Sequence, residues 1–207
     1  EFVSPDWERT KLFMIFGVAE DHDSNPIKMG LSRLKARKAK IIAVNPVRTG
    51  YNAIADEWVG ITPGTDGLFV LALIHELIGA GKVDIDYLCR YTNAPWLVID
   101  NPGGADDGLF ARNAQGDALI WNKKAGKACS YREKNITPEM SEIVTLEDGR
   151  RARPVFRLMA DKYLDDKYSP DAVAAATGIP ASQIKSIAYQ LAQTAFGEEI
   201  VIKQKWT

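Results

Sequence analysis

Apolar residues recur along this chain in two rhythms. Lys11-Leu-Phe-Met-Ile-Phe16 is a continuous apolar run that stops at Gly17, and Ile41 to Val44 is a shorter, β-branched run that stops at Asn45-Pro46. Continuous runs of this length suit strands buried on both faces. Between them Ile27, Leu31 and Leu34 form one stripe in a segment otherwise rich in Lys and Arg, which predicts an amphipathic helix reaching about Lys38. Pro26 suits its first turn, with Asn25 or Ser24 as cap, and the basic end complements the helix dipole. Strand, helix and strand in this succession predict a βαβ unit.

The pattern continues with a short helix over Tyr51–Asp56 and a short strand over Trp58–Ile61. Thr65 or Asp66 opens a helix running to Ala80 that is apolar nearly all round, which predicts burial. A further helix spans Asp84–Tyr91, and Trp96–Ile99 reads as an edge strand. Residues 101–149 change character. Glycine and aspartate punctuate short extended pieces such as Ala118–Trp121, which predicts small hairpins. Regular structure resumes with a helix over Pro154–Asp165, with Val155, Leu158, Met159 and Leu164 inward. Ser169 then caps a helix with Pro170 at its first position. Thr177-Gly178-Ile179-Pro180 stops and restarts the chain, Ser182–Ala195 forms another helix, and Ile200–Ile202 a strand. The fold expected is α/β: a doubly wound, mostly parallel, Rossmann-like sheet with helices on both faces and an irregular insertion. Strands are expected near residues 12–16, 41–44 and 199–203. Residues 1–100 would begin a dinucleotide-binding lobe, 101–150 would be the insertion, and 151–207 would complete the lobe.

Composition narrows this little. Of the 207 residues 46% are hydrophobic and 26% charged, and the net charge is −1, so bulk charge favours neither nucleic acid nor acidic lipid. The two cysteines, Cys89 and Cys129, are far apart and form no Cys-x-x-Cys, so zinc-ribbon and iron–sulfur spacings are absent. Isolated thiols are expected, Cys89 packed on a helix and Cys129 in a polar, exposed loop. His22, between Asp21 and Asp23, does not make a metal site, because three adjacent residues do not converge on one ion. His75, inside the apolar helix, reads as a satisfied core histidine. No signal peptide or membrane-spanning run is present in the sequence. The first residues are Glu1-Phe2 and the last Lys205-Trp206-Thr207, and both ends read as cut from a longer chain.

In open α/β sheets ligands sit beyond the carboxyl ends of the strands. Here that position holds Asn45-Pro46-Val47-Arg48-Thr49, followed by Ala55-Asp56-Glu57-Trp58 and Pro63-Gly64-Thr65-Asp66-Gly67. These motifs, in this order and spacing, resemble the molybdopterin-dependent oxidoreductases of the dimethyl-sulfoxide-reductase family. The stretch Gly17-Val-Ala-Glu-Asp-His-Asp-Ser-Asn-Pro26 resembles their sulfur-oxyanion branch. The likeness covers nearly the whole chain, but only a middle portion of such a catalytic subunit. Two departures stand out: Asn45 occupies the place of the family's usual Asp, and Phe16-Gly17-Val18-Ala19 stands where Trp-Gly-x-Asn is common.

The resemblance implies that this segment binds one guanine dinucleotide half of a bis-(molybdopterin guanine dinucleotide) cofactor carrying molybdenum. The cofactor-binding residues it implies are Gly17, Glu20, Asn25, Asn45, Pro46, Arg48, Thr49, Gly64, Thr65 and Asp66. Gly17 admits the pyrophosphate closely, Asn25 lies at an anion-favouring helix start, and Asn45 lies where ribose is selected. Asp66 is the candidate acceptor for guanine N1–H and N2–H₂. No catalytic residue and no metal ligand is expected within these residues, and the chain alone is expected to hold no cofactor and to be inactive. The implied parent reaction is oxidation of sulfite or a related sulfur oxyanion by oxygen-atom transfer. Iron–sulfur clusters would lie outside this segment. The implied partners are the remaining domains of its own polypeptide, together with iron–sulfur electron-transfer and membrane anchor subunits, and no nucleic acid. The implied setting is bacterial, cytoplasmic or membrane-associated through those partners.

Plainer readings exist. Gly17 ends a strand, Asn45 forms an Asx-turn, and Asp66 caps a helix. The competing function is a stand-alone nucleotide-binding or structural module without redox activity. A nicotinamide dehydrogenase would carry Gly-x-Gly-x-x-Gly after the first strand, which residues 17–25 lack.

Overall fold

A computed structural model describes residues 5–18, 26–48, 50–197 and 199. In chain order, β1 (Leu12–Phe16), α1 (Pro26–Ala36), β2 (Lys40–Val44), α2 (Tyr51–Ile54), β3 (Glu57–Val59) and α3 (Asp66–Gly79) come first. Then come α4 (Ile85–Tyr91), β4 (Leu97–Ile99), β5 (Leu119–Asn122), β6 (Lys127–Ser130), β7 (Val144–Thr145), β8 (Arg151–Pro154) and α5 (Val155–Tyr163). A 3-10 turn (Asp166–Tyr168), α6 (Pro170–Thr177) and α7 (Ala181–Gly197) complete the series. The chain divides into two compact units, one made of residues 1–82 with 166–207 and one of residues 83–165.

The first unit is built on a parallel sheet in the order β1-β2-β3. Strand β2 is its centre, and Ile41 to Val44 are at most 1% exposed. Side chains alternate across a strand, so Ile41 and Ala43 meet α1 through Leu31 and Leu34, whereas Ile42 and Val44 meet Phe69, Val173, Ile184 and Ile187 from α3, α6 and α7. Helices therefore cover both faces, as the apolar run of β2 requires. The strand expected at 199–203 lies outside the described residues, apart from Glu199.

Local chemistry sets the helix ends. Ser169 accepts the Ala172 N–H at 3.3 Å and Pro170 takes the first position of α6, as the sequence predicts. Gly178 ends α6 at φ +72° in the left-handed region. Buried Thr177 secures the α6–α7 corner. Its hydroxyl donates to the Val173 carbonyl at 3.0 Å and accepts the Ile179 N–H at 3.3 Å, and its carbonyl accepts the Thr62 N–H at 2.8 Å. In α1, Gly30 is needed for space, because a Cβ there would lie 2.5 Å from the Trp7 ring. Helix α3 departs from expectation. Phe69, Ala72 and Leu73 are buried, but Val70 is 38% exposed, so its all-round apolar character does not give all-round burial.

The second unit is antiparallel. Strand β8 lies between β4 and β7, and β5 and β6 form a hairpin. Its core joins Leu97, Ile99, Ala111, Val144, Leu146 and Ala152. Hairpins appear between residues 101 and 149 as expected, but the unit is wider than that stretch because β4 pairs with β8 across it. The inward face of α5 is set by Phe156 and Ala160, while Leu164 is 40% exposed. The expected stripe of Val155, Leu158, Met159 and Leu164 is thus rotated by about one residue, because Phe156 supplies the largest apolar surface in the helix.

Thr177→Val should lower stability by about 1–3 kcal/mol, since it leaves the buried Ile179 N–H without its acceptor. Thr177→Ser should retain most of the stability. Urea denaturation of the two variants checks this, and equal midpoints for Val and Ser would contradict the assigned role.

Candidate functional site

Parallel pairing in register gathers the candidate residues. Phe16 pairs with Val44 and Val44 with Val59, so the three strands end together. Gly17, Asn45 and Gly60 follow them side by side at one sheet edge, and α3 starts after the loop of residues 60–65. Backbone bonds extend the pairing one residue further, from the Gly17 N–H to the Val44 carbonyl at 3.0 Å and from the Asn45 N–H to the Val59 carbonyl at 3.1 Å.

Asn45 is 8% exposed, and both ends of its side-chain amide are bonded. Its Oδ1 accepts the Val47 N–H at 3.2 Å, which is the Asx-turn, and its Nδ2 donates to the Val18 carbonyl at 3.3 Å. Its own carbonyl accepts the Trp58 Nε1–H at 3.0 Å. The amide therefore ties the loop after β1 to the loop after β2. Asn52, 2% exposed, supports the same loop by donating to the Val47 carbonyl at 3.0 Å. Pro46 lies within this turn. Arg48 is exposed, with its guanidinium carbon 5.9 Å from the Trp58 ring centre, and it forms no ion pair among the described residues.

The loop into α3 is also fixed. Thr65 is the residue before the helix, but its hydroxyl donates back to the Thr62 carbonyl at 2.7 Å and caps no helical N–H. Asp66 is the first helical residue and does not cap either, which corrects the cap reading. Its half-buried carboxylate makes no hydrogen bond or ion pair among the described residues. Gly64 stands at φ +85° and Gly17 at φ +62°, and a Cβ at either would meet nothing within 4 Å. The left-handed backbone, not crowding, is what favours glycine at these two positions. Glu20, Asn25 and Thr49 lie outside the described residues, as does His22.

The motif Ala55-Asp56-Glu57-Trp58 serves both ends of the sheet. The Asp56 carboxylate accepts Lys35 Nζ at 2.7 Å and the Ile41 N–H at 2.8 Å, and these contacts hold it below the ordinary carboxylate range. Burial pushes the Glu57 carboxyl up, but Lys40 at 2.9 Å together with Gln183 and Gln190 more than offsets this, and its pKa is lowered. Lys40 also donates to Gln190. These groups clamp the strand starts, opposite the candidate site. Trp58, by contrast, reaches the site loop. The Ala55-Asp56-Glu57-Trp58 motif carries no local signature of this contact, because the indole reaches a carbonyl 13 residues away.

Other expectations change. Cys129 is 7% exposed, not exposed in a loop, because β6 turns it inward; burial raises its pKa and that of Cys89. Both thiols are free, and the Cys89 thiol lies 3.5 Å from Met140 Sδ. His75 is not fully satisfied: among the described residues its buried Nδ1 has no hydrogen bond, and Glu76 Oε1 is 3.6 Å away. Among the described residues no three His, Cys, Asp or Glu side chains could hold a metal ion. No described helix is long and apolar enough to cross a membrane.

In the segments that follow the strand ends, then, lie a guanidinium and a carboxylate without an ion pair among the described residues, and two open glycines. This donor and acceptor set fits a guanine dinucleotide: cationic N–H groups for the diphosphate, a carboxylate for the guanine edge, and backbone free of side chains for close approach.

No family model matches the chain. Curated relatives and a solved structure do. The chain is 42% identical to a subunit of the sulfite dehydrogenase of Allochromatium vinosum, over 100% of its own length and 22% of the relative. It is 24% identical to the alpha subunit of perchlorate reductase from Dechloromonas aromatica, covering 90% of the chain and 24% of the relative. In structure it resembles acetylene hydratase from Pelobacter acetylenicus, with TM-score 0.50 and 17% identity over 92% of this chain and 17% of that one. The similarity places the chain among the molybdopterin oxidoreductases of the dimethyl-sulfoxide-reductase family. Within it, the sulfite dehydrogenase polypeptide is similar over every part of the chain, and the chain spans about a fifth of that relative's length.

The lowered Glu57 and Asp56 pKa values predict an acid-sensitive sheet. Their stabilisation is complete above the ordinary values of 4.5 and 3.8 and is lost as pH falls through the lower folded-state values. Melting temperature should therefore drop below about pH 4.5. Glu57→Gln should lower stability by about 1 kcal/mol at neutral pH and reduce that drop. An unchanged pH profile in the variant would contradict the clamp.

Proposed function

We propose that this chain supplies the binding surface for one guanine dinucleotide half of a bis-(molybdopterin guanine dinucleotide) cofactor, within a longer oxidoreductase catalytic subunit. The observation that carries the reading is that Arg48 and Asp66, in the segments following the ends of parallel strands, have no ion-pair partner among the described residues. Arg48 supplies guanidinium N–H donors to the diphosphate. Gly17 and Gly64 let the chain backbone approach, and the Asp66 carboxylate accepts from guanine N1–H and N2–H₂. Asn45, already bonded to the loops on both sides, holds the edge together and keeps one Oδ1 lone pair for a ribose hydroxyl. Glu20, Asn25, Pro46, Thr49 and Thr65 complete the proposed surface. When bound, the cofactor supplies oxygen-atom transfer and two-electron redox chemistry, and this chain's part is to bind and orient it.

For the complete enzyme we propose oxidation of sulfite or a related sulfur oxyanion, supported by the similarity to the sulfite dehydrogenase polypeptide along the whole chain. In balanced form, sulfite and water give sulfate, two protons and two electrons. The electrons would leave through iron–sulfur centres outside this segment to electron-transfer and membrane anchor subunits. The chain by itself would hold no cofactor. The unit of residues 83–165 would be an insertion between two parts of the dinucleotide lobe.

Asp66→Asn separates the guanine role from a structural one. Asp66 stands at the helix start without capping it, so losing its charge should cost only about 0.3–1 kcal/mol of stability through the helix dipole. Replacing an acceptor by an amide donor should cost about 1.5–3 kcal/mol in guanine recognition, roughly 10- to 100-fold in affinity. Cofactor content and melting temperature of the full-length variant provide the check. Full cofactor content in Asp66→Asn would refute the guanine role.

A further inference from the structure

We propose that Trp58 is a positioning residue for the diphosphate: its indole holds Arg48 by the ring face and the Asn45 loop by the ring N–H, so that the guanidinium is held at the sheet edge without a carboxylate among the described residues taking up its N–H donors. The inference rests on the nucleotide-binding reading above and adds to it the part that prepares the anion site.

Three observations carry it. The Trp58 Nε1–H donates to the Asn45 carbonyl at 3.0 Å, which pins the start of the loop bearing Arg48. The Arg48 guanidinium carbon lies 5.9 Å from the ring centre, within reach of a cation–π contact. A Cβ on Gly60 would come within 2.8 Å of the same ring. Gly60 has no positive φ, so glycine there makes room for the indole and is not demanded by the backbone.

The choice of an aromatic support matters chemically. A carboxylate beside Arg48 would neutralise it and occupy its N–H groups, as Asp148 and Asp106 do for Arg150. A ring face attracts the cation but accepts none of its five in-plane N–H donors. Arg48 is therefore restrained without being consumed, which suits a site that must receive a diphosphate. An aliphatic residue at 58 would fill space but restrain nothing.

The full-length protein, produced without its cofactor, is titrated with GDP and with guanosine, and the ratio of the two affinities isolates the diphosphate contribution. Arg48→Ala should lower GDP affinity about tenfold and leave guanosine binding unchanged. Trp58→Leu should lower GDP affinity about threefold, again without changing guanosine. The double variant should match Arg48→Ala alone, because Trp58 acts through Arg48. Trp58→Phe, which keeps a ring face but not the ring N–H, should restore part of the GDP preference lost in Trp58→Leu. If Trp58→Leu does not fold, Gly60→Ala displaces the ring and should lower the same ratio. A GDP-to-guanosine ratio that falls in Arg48→Ala but stays unchanged in Trp58→Leu or Gly60→Ala overturns the role of Trp58 and leaves the nucleotide reading intact. Equal losses for GDP and guanosine in the Trp58 variants also overturn it. Unchanged GDP binding in both Arg48→Ala and Asp66→Asn overturns the nucleotide reading and this inference together.

Discussion

The burial of β2 on both faces is the constraint from which the rest of the first unit follows. Ile41, Ile42, Ala43 and Val44 have no solvent-facing side, so helices must pack above and below. Full burial also fixes register, since a slip of one residue would exchange Ile41 and Ala43 with Ile42 and Val44 between two differently shaped cores. Fixed register aligns the strand ends, and aligned ends bring three distant loops to one edge. A candidate site that no local segment encodes thus arises from four apolar residues in the middle of the sheet.

Polar residues divide their work between the two ends of that sheet. At the strand starts, Asp56 and Glu57 are satisfied by Lys35, Lys40, Gln183 and Gln190. At the strand ends, Asn45 and Asn52 spend their amides on neighbouring carbonyls and Trp58 closes the loop between them. The four residues Ala55 to Trp58 therefore join a clamp to a site across the length of one short strand. Glycine is used twice in different ways nearby: Gly64 allows a left-handed turn, while Gly60 allows the indole to lie close.

What the sequence made legible follows how local the physics is. The β-branched run of β2, the Ser169-Pro170 helix start and the left-handed Gly178 are decided within a few residues, and they stand where the pattern puts them. The antiparallel unit is harder to read, because β4, β7 and β8 are two to four residues long and the β4–β8 pairing joins residues more than 50 positions apart. The face of α5 and the exposure of Val70 in α3 depend on tertiary neighbours that periodicity does not contain. The motifs do lie at strand ends, yet they could not say that the Asn45 amide ties two loops together or that neither Thr65 nor Asp66 caps α3 with its side chain.

Unpaired charge is informative here because the alternative is common in the same molecule. Arg9, Lys35, Lys40, Arg150, Arg153 and Lys185 each stand within 3.0 Å of a carboxylate. An exposed ion pair is worth only about 0.2–1 kcal/mol, so stability gives little reason either to form one more or to avoid it. Flexibility alone would explain a lone arginine on a mobile tail. It does not explain an arginine set in a loop pinned by Asn45, Asn52 and Trp58, at the same sheet edge as a half-buried aspartate that no described donor satisfies. Two charges of opposite sign with no partner among the described residues, carried on a loop and a helix start that follow neighbouring strands, are what the proposed guanine dinucleotide reading requires, since that ligand is anionic at its diphosphate and donating at its guanine edge.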